Sequence, residues 1–201
     1  VTNQPLYIFD LDGTLADCRH RLAWITTPPC PHCLGEVRAD NPAGVALGAT
    51  CPVCGVTGQD PDFKKNYRAF YQACVHDSPI WPMIQLLRSL LLSGAEVEIW
   101  TGRSDEVYSQ TLDWLRHHTQ LGRDQLCRMI TMRQRGDFTP DYRLKEGWLD
   151  SLAPTKRCRL AAAFEDRQRV VDMWLANGVL CLQAPPDSFH QPREPLQHGH
   201  D

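Results

Sequence analysis

The chain has 201 residues, 42% of them hydrophobic and 22% charged, with a formal net charge of −3. That profile fits a globular protein with one core and room for a small insertion, and it excludes the global basic field of a nucleic-acid coat protein. No apolar run reaches the roughly 18–20 residues of a membrane span, and the first residues lack the basic, apolar and small-residue segments of a secretory signal, which predicts a cytoplasmic protein.

Leu6–Phe9 reads as a short buried strand that runs straight into Asp10-Leu11-Asp12-Gly13-Thr14. Residues 26–61, rich in Pro, Gly and Cys, interrupt the pattern as an insertion. Residues 79–92 read as a helix with Ile80, Met83, Leu86, Leu87, Leu90 and Leu91 on one stripe and Gly94 as its C-terminal cap. A strand over 97–100 follows, ending at Thr101-Gly102-Arg103. Ser104 caps a helix to about His118, whose inner stripe is Val107, Thr111, Leu112 and Leu115. Then come a strand over 127–132, a helix over 143–152, and a small-residue strand over 160–164 that ends at Glu165-Asp166. A helix over 167–176, stopped by Asn177-Gly178, and a last strand over 179–183 complete the pattern.

Alternating strands and helices predict an α/β fold, a Rossmann-like parallel sheet with helices on both faces. The expected division is a core of residues 1–25 and 79–184, a cap insertion over 26–78, and a flexible tail over 185–201, which holds four prolines. Asp10, Thr101 and Asp166 all fall just past predicted strand ends, where parallel sheets bind ligands.

Two carboxylates one residue apart suit a specific chemistry. Asp10 can attack a phosphorus atom in line, while Asp12 protonates the leaving oxygen and then deprotonates water. Gly13 permits the turn that aims both at one point. Because carboxylates and a phosphate dianion repel, a hard divalent cation is required. Mg²⁺ fits oxygen ligands, and Asp166, beside Glu165, supplies a distant one. Thr101 offers a hydroxyl and nearby N–H groups, and Lys145 a point charge, for the transferring phosphoryl.

These motifs resemble the haloacid-dehalogenase-like superfamily. More closely, Leu6–Leu15 together with Met132–Asp137, Leu144–Glu146 and Phe164–Trp174 resemble the 3′-phosphatase domain of phage-type polynucleotide kinase-phosphatases. The resemblance implies Asp10 as nucleophile and Asp12 as general acid-base. It also implies Asp10, Asp12 (through its backbone carbonyl) and Asp166 on Mg²⁺, and Lys145 on the phosphoryl group. Thr101, Gly102 and Arg103 are then expected at the phosphate and Arg133 at the substrate. No G-x-x-x-x-G-K-[ST] loop occurs, so the kinase half of such enzymes is not encoded in these residues.

Four of the nine cysteines, Cys30, Cys33, Cys51 and Cys54, form C-x2-C-x17-C-x2-C, the spacing of a zinc-ribbon-like knuckle with structural Zn²⁺. Two redox dithiols or an iron–sulfur centre are the competing readings. Tyr67, Phe70 and Tyr71 beside the knuckle read as the inner face of a helix, with base stacking as the functional alternative. The expected reaction is hydrolysis of a phosphate monoester, a polynucleotide or nucleotide 3′-phosphate. A nucleoside 5′-monophosphate phosphatase is the first alternative, and a zinc-ribbon nucleic-acid or protein binding module the second. The expected partner is a phosphorylated nucleotide or nucleic-acid end; no membrane is expected, and no feature specifies a protein partner.

Overall fold

A computed structural model describes residues 4–34, 50–55 and 57–184; the predicted tail and residues 35–49 of the insertion lie outside them. The chain divides into two compact units, residues 18–76 and the remainder. In the larger unit, strands β1 (Leu6–Phe9), β4 (Glu96–Ser104), β5 (Ile130–Arg133), β6 (Leu160–Glu165) and β7 (Cys181–Gln183) form one sheet in the order β5-β4-β1-β6-β7. Every pairing in it is parallel. A two-residue pair, β2 (Ala16–Asp17) against β3 (Ser78–Pro79), runs antiparallel beside it.

The alternation of side chains along β1 divides the core. Leu6 and Ile8 face a cluster with Trp100 of the neighbouring β4, Leu149 of α5 (Asp141–Asp150), and Val170 and Trp174 of α7 (Gln168–Ala176). Phe9 faces the other cluster with Ile84, Leu87, Leu112, Leu115 and Leu126, from α2 (Trp81–Leu92), α3 (Tyr108–Thr119) and α4 (Arg123–Met129). Helices therefore cover both faces, as the α/β reading expects. From central β1 the sheet builds outward through β4 and β5 on one side and through β6 and β7 on the other. That reversal opens a crevice at the carboxyl end of β1.

Three of the differences from the sequence reading concern the ends of strands. β4 continues past Trp100 to Ser104, because Ser104 still pairs with Arg133 across an irregularity in register. Residues 127–129 are the end of α4 rather than the start of a strand: Leu126 and Met129, three apart, both face the core, and the strand begins only at Ile130. The last strand starts at Cys181: the turn after α7 is at Asn177–Gly178, and Val179 and Leu180 that follow it carry no strand pairing of their own before Cys181 pairs with Ala163.

The smaller unit holds α1 (Tyr67–Gln72), capped by the Asn66 side chain, which accepts from Ala69 N–H at 2.9 Å. Of the aromatic trio only Phe70 is buried; the buried Arg21 guanidinium lies 4.2 Å from its ring centroid, while Tyr67 is nearly half exposed. The short α6 (Pro154–Arg157) lies in the larger unit.

Candidate active site

Asp10 N–H donates to Phe164 O at 2.9 Å, so sheet pairing extends one residue past β1 and fixes the first carboxylate at the crevice. The chain then turns within five residues: Leu15 and Ala16 N–H both donate to Leu11 O, and Gly13 N–H donates to Ala16 O at 2.8 Å. Gly13 is required twice over. Its φ is +88°, and a Cβ there would run into the Asp166 carboxylate.

Asp10, Glu165 and Asp166 each bring a carboxylate oxygen within 4.8 Å of the others. Lys145, projecting from α5, places its Nζ 2.5 Å from Asp10 Oδ1 and 2.6 Å from Glu165 Oε2. Burial, which alone would lower the Lys145 pKa, is outweighed by the charges of Asp10, Glu165 and Asp141, so the ammonium keeps its proton. One cation does not balance the cluster. Burial first, then the Glu165 charge, hold Asp10 well above the usual carboxylate range. Glu165 is pushed up to about 7, chiefly by burial, and Asp166 to about 6 by burial and then the Asp10 charge. Asp166 Oδ1 is buried and receives no hydrogen bond in the structure. Hard oxygen donors, surplus negative charge and an orphaned buried oxygen together fit a divalent cation such as Mg²⁺.

Asp12 stands apart from that trio. Its Oδ1 accepts from Arg103 through Nε at 2.8 Å and through Nη2, and the same Nη2 donates to Asp77 Oδ2 at 2.5 Å. The Arg103 side chain is fully buried in this grip between two carboxylates. Thr101 is buried as well, and its hydroxyl oxygen accepts Arg103 N–H at 3.2 Å. Gly102 lies against Asp141, whose Oδ1 would stand 2.5 Å from a Cβ placed there. Arg133, also nearly buried, donates through Nε to Gly102 O at 2.9 Å and pairs with Asp141 Oδ1 at 3.5 Å.

Asp141, Asp77 and Arg167 were not singled out from the sequence. Asp141 Oδ2 lies 3.8 Å from Lys145 Nζ and 3.6 Å from Arg167 Nη1, joining α5 to the loop after β6. Asp141 stands four residues before Lys145, one helical turn away, but outside the helix expected over 143–152; only the observed start of α5 at Asp141 puts the two on one face. Asp77 carried no signal, since its partner Arg103 is 26 residues distant.

In the smaller unit, the sulfurs of Cys30, Cys33, Cys51 and Cys54 all lie within 4.8 Å of one another. Cys30 Sγ is 3.8 Å from Cys51 Sγ, and Cys33 Sγ is 3.6 Å from Cys54 Sγ. Disulfides would bring the sulfurs to about 2 Å, whereas a tetrahedron with metal–sulfur bonds of about 2.3 Å spaces them about 3.8 Å apart. Val53 N–H approaches Cys51 Sγ at 3.4 Å, and His32 Nδ1 lies 3.6 Å from the same sulfur. A backbone hydrogen bond from Cys54 heads the causes that lower Cys51 to about 6, while burial pushes Cys54 up to about 11.

The chain matches the family model of the polynucleotide kinase PNKP phosphatase domain over residues 62–189, more than half its length. Asp10 and Asp12 lie before that span. A solved structure of the Pnkp1/Rnl/Hen1 complex is similar at 21% identity and a TM-score of 0.57, covering 92% of this chain and 46% of the other. A structure of the Pnkp1/Rnl/Hen1 RNA repair complex is similar at 20% identity and a TM-score of 0.55, covering 91% and 43%. At such identities the likeness bears on fold alone, and this chain spans just under half the length of those proteins. No curated protein sequence matches. Among the described residues, no helix is long and apolar enough to cross a membrane.

Proposed function

The chain belongs to the family of the polynucleotide kinase PNKP phosphatase domain, and on that premise we propose that it is a Mg²⁺-dependent phosphatase acting on a polynucleotide or nucleotide 3′-phosphate through an aspartyl-phosphate. The observation that carries the reading is Asp10 at the carboxyl end of β1, 2.5 Å from the buried Lys145 Nζ and grouped with Glu165 and Asp166.

Asp10 is the nucleophile. Its carboxylate oxygen forms a bond to phosphorus as the bond to the leaving sugar oxygen breaks, and Asp12 gives that oxygen its proton. Asp12 then takes a proton from the water that attacks phosphorus, which frees Asp10 and inorganic phosphate. Both roles of Asp12 require one fixed orientation, and the Arg103–Asp77 grip supplies it. Arg103 is therefore a positioning residue in this scheme. Lys145 stabilises charge on the transferring phosphoryl oxygens from its place beside Asp10, and the Thr101–Gly102 backbone lines the phosphate side. Mg²⁺ held by Asp10, Asp166 and the Asp12 backbone, with Glu165 beside them, would supply the positive charge that lets these carboxylates and the phosphate approach. Cys30, Cys33, Cys51 and Cys54 would hold a structural Zn²⁺, closing the knuckle of the segment inserted over 26–78.

The test is phosphate release with Mg²⁺ from a 3′-phosphorylated oligonucleotide, its 5′-phosphorylated twin, and 3′- and 5′-mononucleotides. Wild type should prefer the 3′-phosphates, and Asp10→Asn should release none while remaining folded. Ordinary turnover by Asp10→Asn would overturn the mechanism; a preference for 5′-mononucleotides would overturn the substrate assignment.

A further inference from the structure

Phe138 is 88% exposed, on the turn between β5 and α5 at the same end of the sheet as Asp10. Exposed apolar side chains are common singly, so exposure alone says little. What sets this ring apart is its mount. The carbonyls on either side of it, those of Asp137 and Thr139, both accept from Arg133 Nη1, at 3.4 and 2.5 Å. Asp137 Oδ1 also accepts Thr139 N–H at 2.8 Å, closing a second ring of bonds around Phe138. Arg135 N–H, on the near side of the turn, donates to Asp105 Oδ1 at 2.9 Å.

The same guanidinium that pins this turn also holds Gly102 O and pairs with Asp141, so the mount of Phe138 is built into the site. Phe138 stands three residues before Asp141, which limits their Cα separation to about 10 Å. Asp141 Oδ2 is in turn 3.8 Å from the Lys145 ammonium that touches Asp10. A phosphate at Asp10 therefore lies at the same end of the sheet as this turn, which is joined to Asp10 through Arg133, Asp141 and Lys145.

We infer that Phe138 is a substrate-specificity residue: a pre-set stacking platform for the nucleobase of the nucleotide that carries the phosphate. The inference rests on the nucleotide 3′-phosphatase reading and adds what recognises the base. A stacking ring accepts any base, because every base has a π face, so this end would be read without sequence preference. Holding the backbone on both sides of Phe138 reduces the ordering cost when the base docks. It also explains why two hydrogen bonds from Arg133 go to a turn whose one large apolar side chain contributes nothing to the core.

The experiment compares wild type, Phe138→Ala and Phe138→Trp on three substrates: a 3′-phosphorylated oligonucleotide, its twin with an abasic terminal nucleotide, and glycerol phosphate. Phe138→Ala should raise KM for the ordinary end by about tenfold or more, the loss of one base stack, with kcat unchanged. Phe138→Trp should restore KM. The abasic twin and glycerol phosphate should not distinguish the three proteins. An unchanged KM in Phe138→Ala, or an equal rise on the abasic twin, overturns the inference while leaving the 3′-phosphatase reading intact. A wild type that hydrolyses glycerol phosphate but neither oligonucleotide overturns both.

Discussion

Lys145 illustrates how a single residue sets the chemistry of its surroundings. Its ammonium is buried with Nζ between Asp10 and Glu165 and with Asp141 a turn away, a placement that costs desolvation and is retained only by the charges around it. Replacing it with Met keeps the length and removes the charge. Asp10, already held well above the usual carboxylate range, would rise further and lose its competence as a nucleophile. Lys145→Met is therefore expected to lower kcat by about 10² or more, the usual loss when a fixed charge at the transition state is removed. Single-turnover phosphate release measures this; a variant within the error of wild type would exclude Lys145 from the site. Some of this was legible beforehand: Asp10, Asp12, Asp166 and Lys145 stand at or near ends of periodic segments, and periodicity is local. Arg103 was not legible in the same way. Only the family resemblance gave it a place, at the phosphate; its partners Asp12 and Asp77 are 91 and 26 residues away and leave no local pattern.

Among elements, the sheet strands and the main helices follow from hydrophobic spacing, because each buries one face in a cluster that the spacing itself defines. Spacing fails where an apolar run is short: from Leu126 to Met132 the same residues suit a strand or the end of a helix, and only the joint burial of Leu126 and Met129 decides for α4. The cysteine knuckle obeys a different rule. Its only buried cluster among the described residues is the four cysteines themselves, with no aliphatic side chain packed among them. Its other ties are a few backbone bonds, such as Cys30 N–H to Gly58 O at 2.9 Å and Asp60 N–H to Pro28 O at 3.0 Å. On the proposed zinc reading, such an element would gain its folding free energy from the metal. Purified protein should contain about one zinc per chain, as a closed four-thiolate site requires. A strong chelator, or Cys51→Ser, should erase hydrogen-exchange protection at Cys30, Gly55 and Asp60 while the β1 and β4 amides stay protected. Metal-free protein that retains protection at those three amides would disprove the zinc knuckle.

At the scale of the whole molecule, the carboxylate cluster is expected to couple folding to pH and, on the proposed reading, to Mg²⁺. Glu165 is raised from 4.5 to about 7 and Asp166 from 3.8 to about 6, burial being the largest cause for both. Between the lower and upper values the native chain binds protons that the unfolded chain has already released. The contribution of these two groups to stability without metal must therefore fall as pH rises from about 4 to about 7, the opposite of what a salt-bridged carboxylate with a depressed pKa produces. Mg²⁺ and protons compete for the same oxygens, and only the ionised cluster attracts the cation. Near pH 7.5, Mg²⁺ at about a hundred times its dissociation constant should add about 3 kcal/mol, a rise in Tm of roughly 5–10 °C for a chain of this size. Near pH 5, where protons already neutralise Glu165 and Asp166, the rise should largely disappear. Thermal melts at both pH values, with zinc left in place, separate this linkage from the knuckle. An Asp166→Asn variant should be more stable than wild type at pH 7.5 without Mg²⁺, because it removes a buried charge, and should gain little when Mg²⁺ is added. Equal Mg²⁺ effects at the two pH values, or an undiminished effect in Asp166→Asn, would mean that the cation binds somewhere other than this cluster.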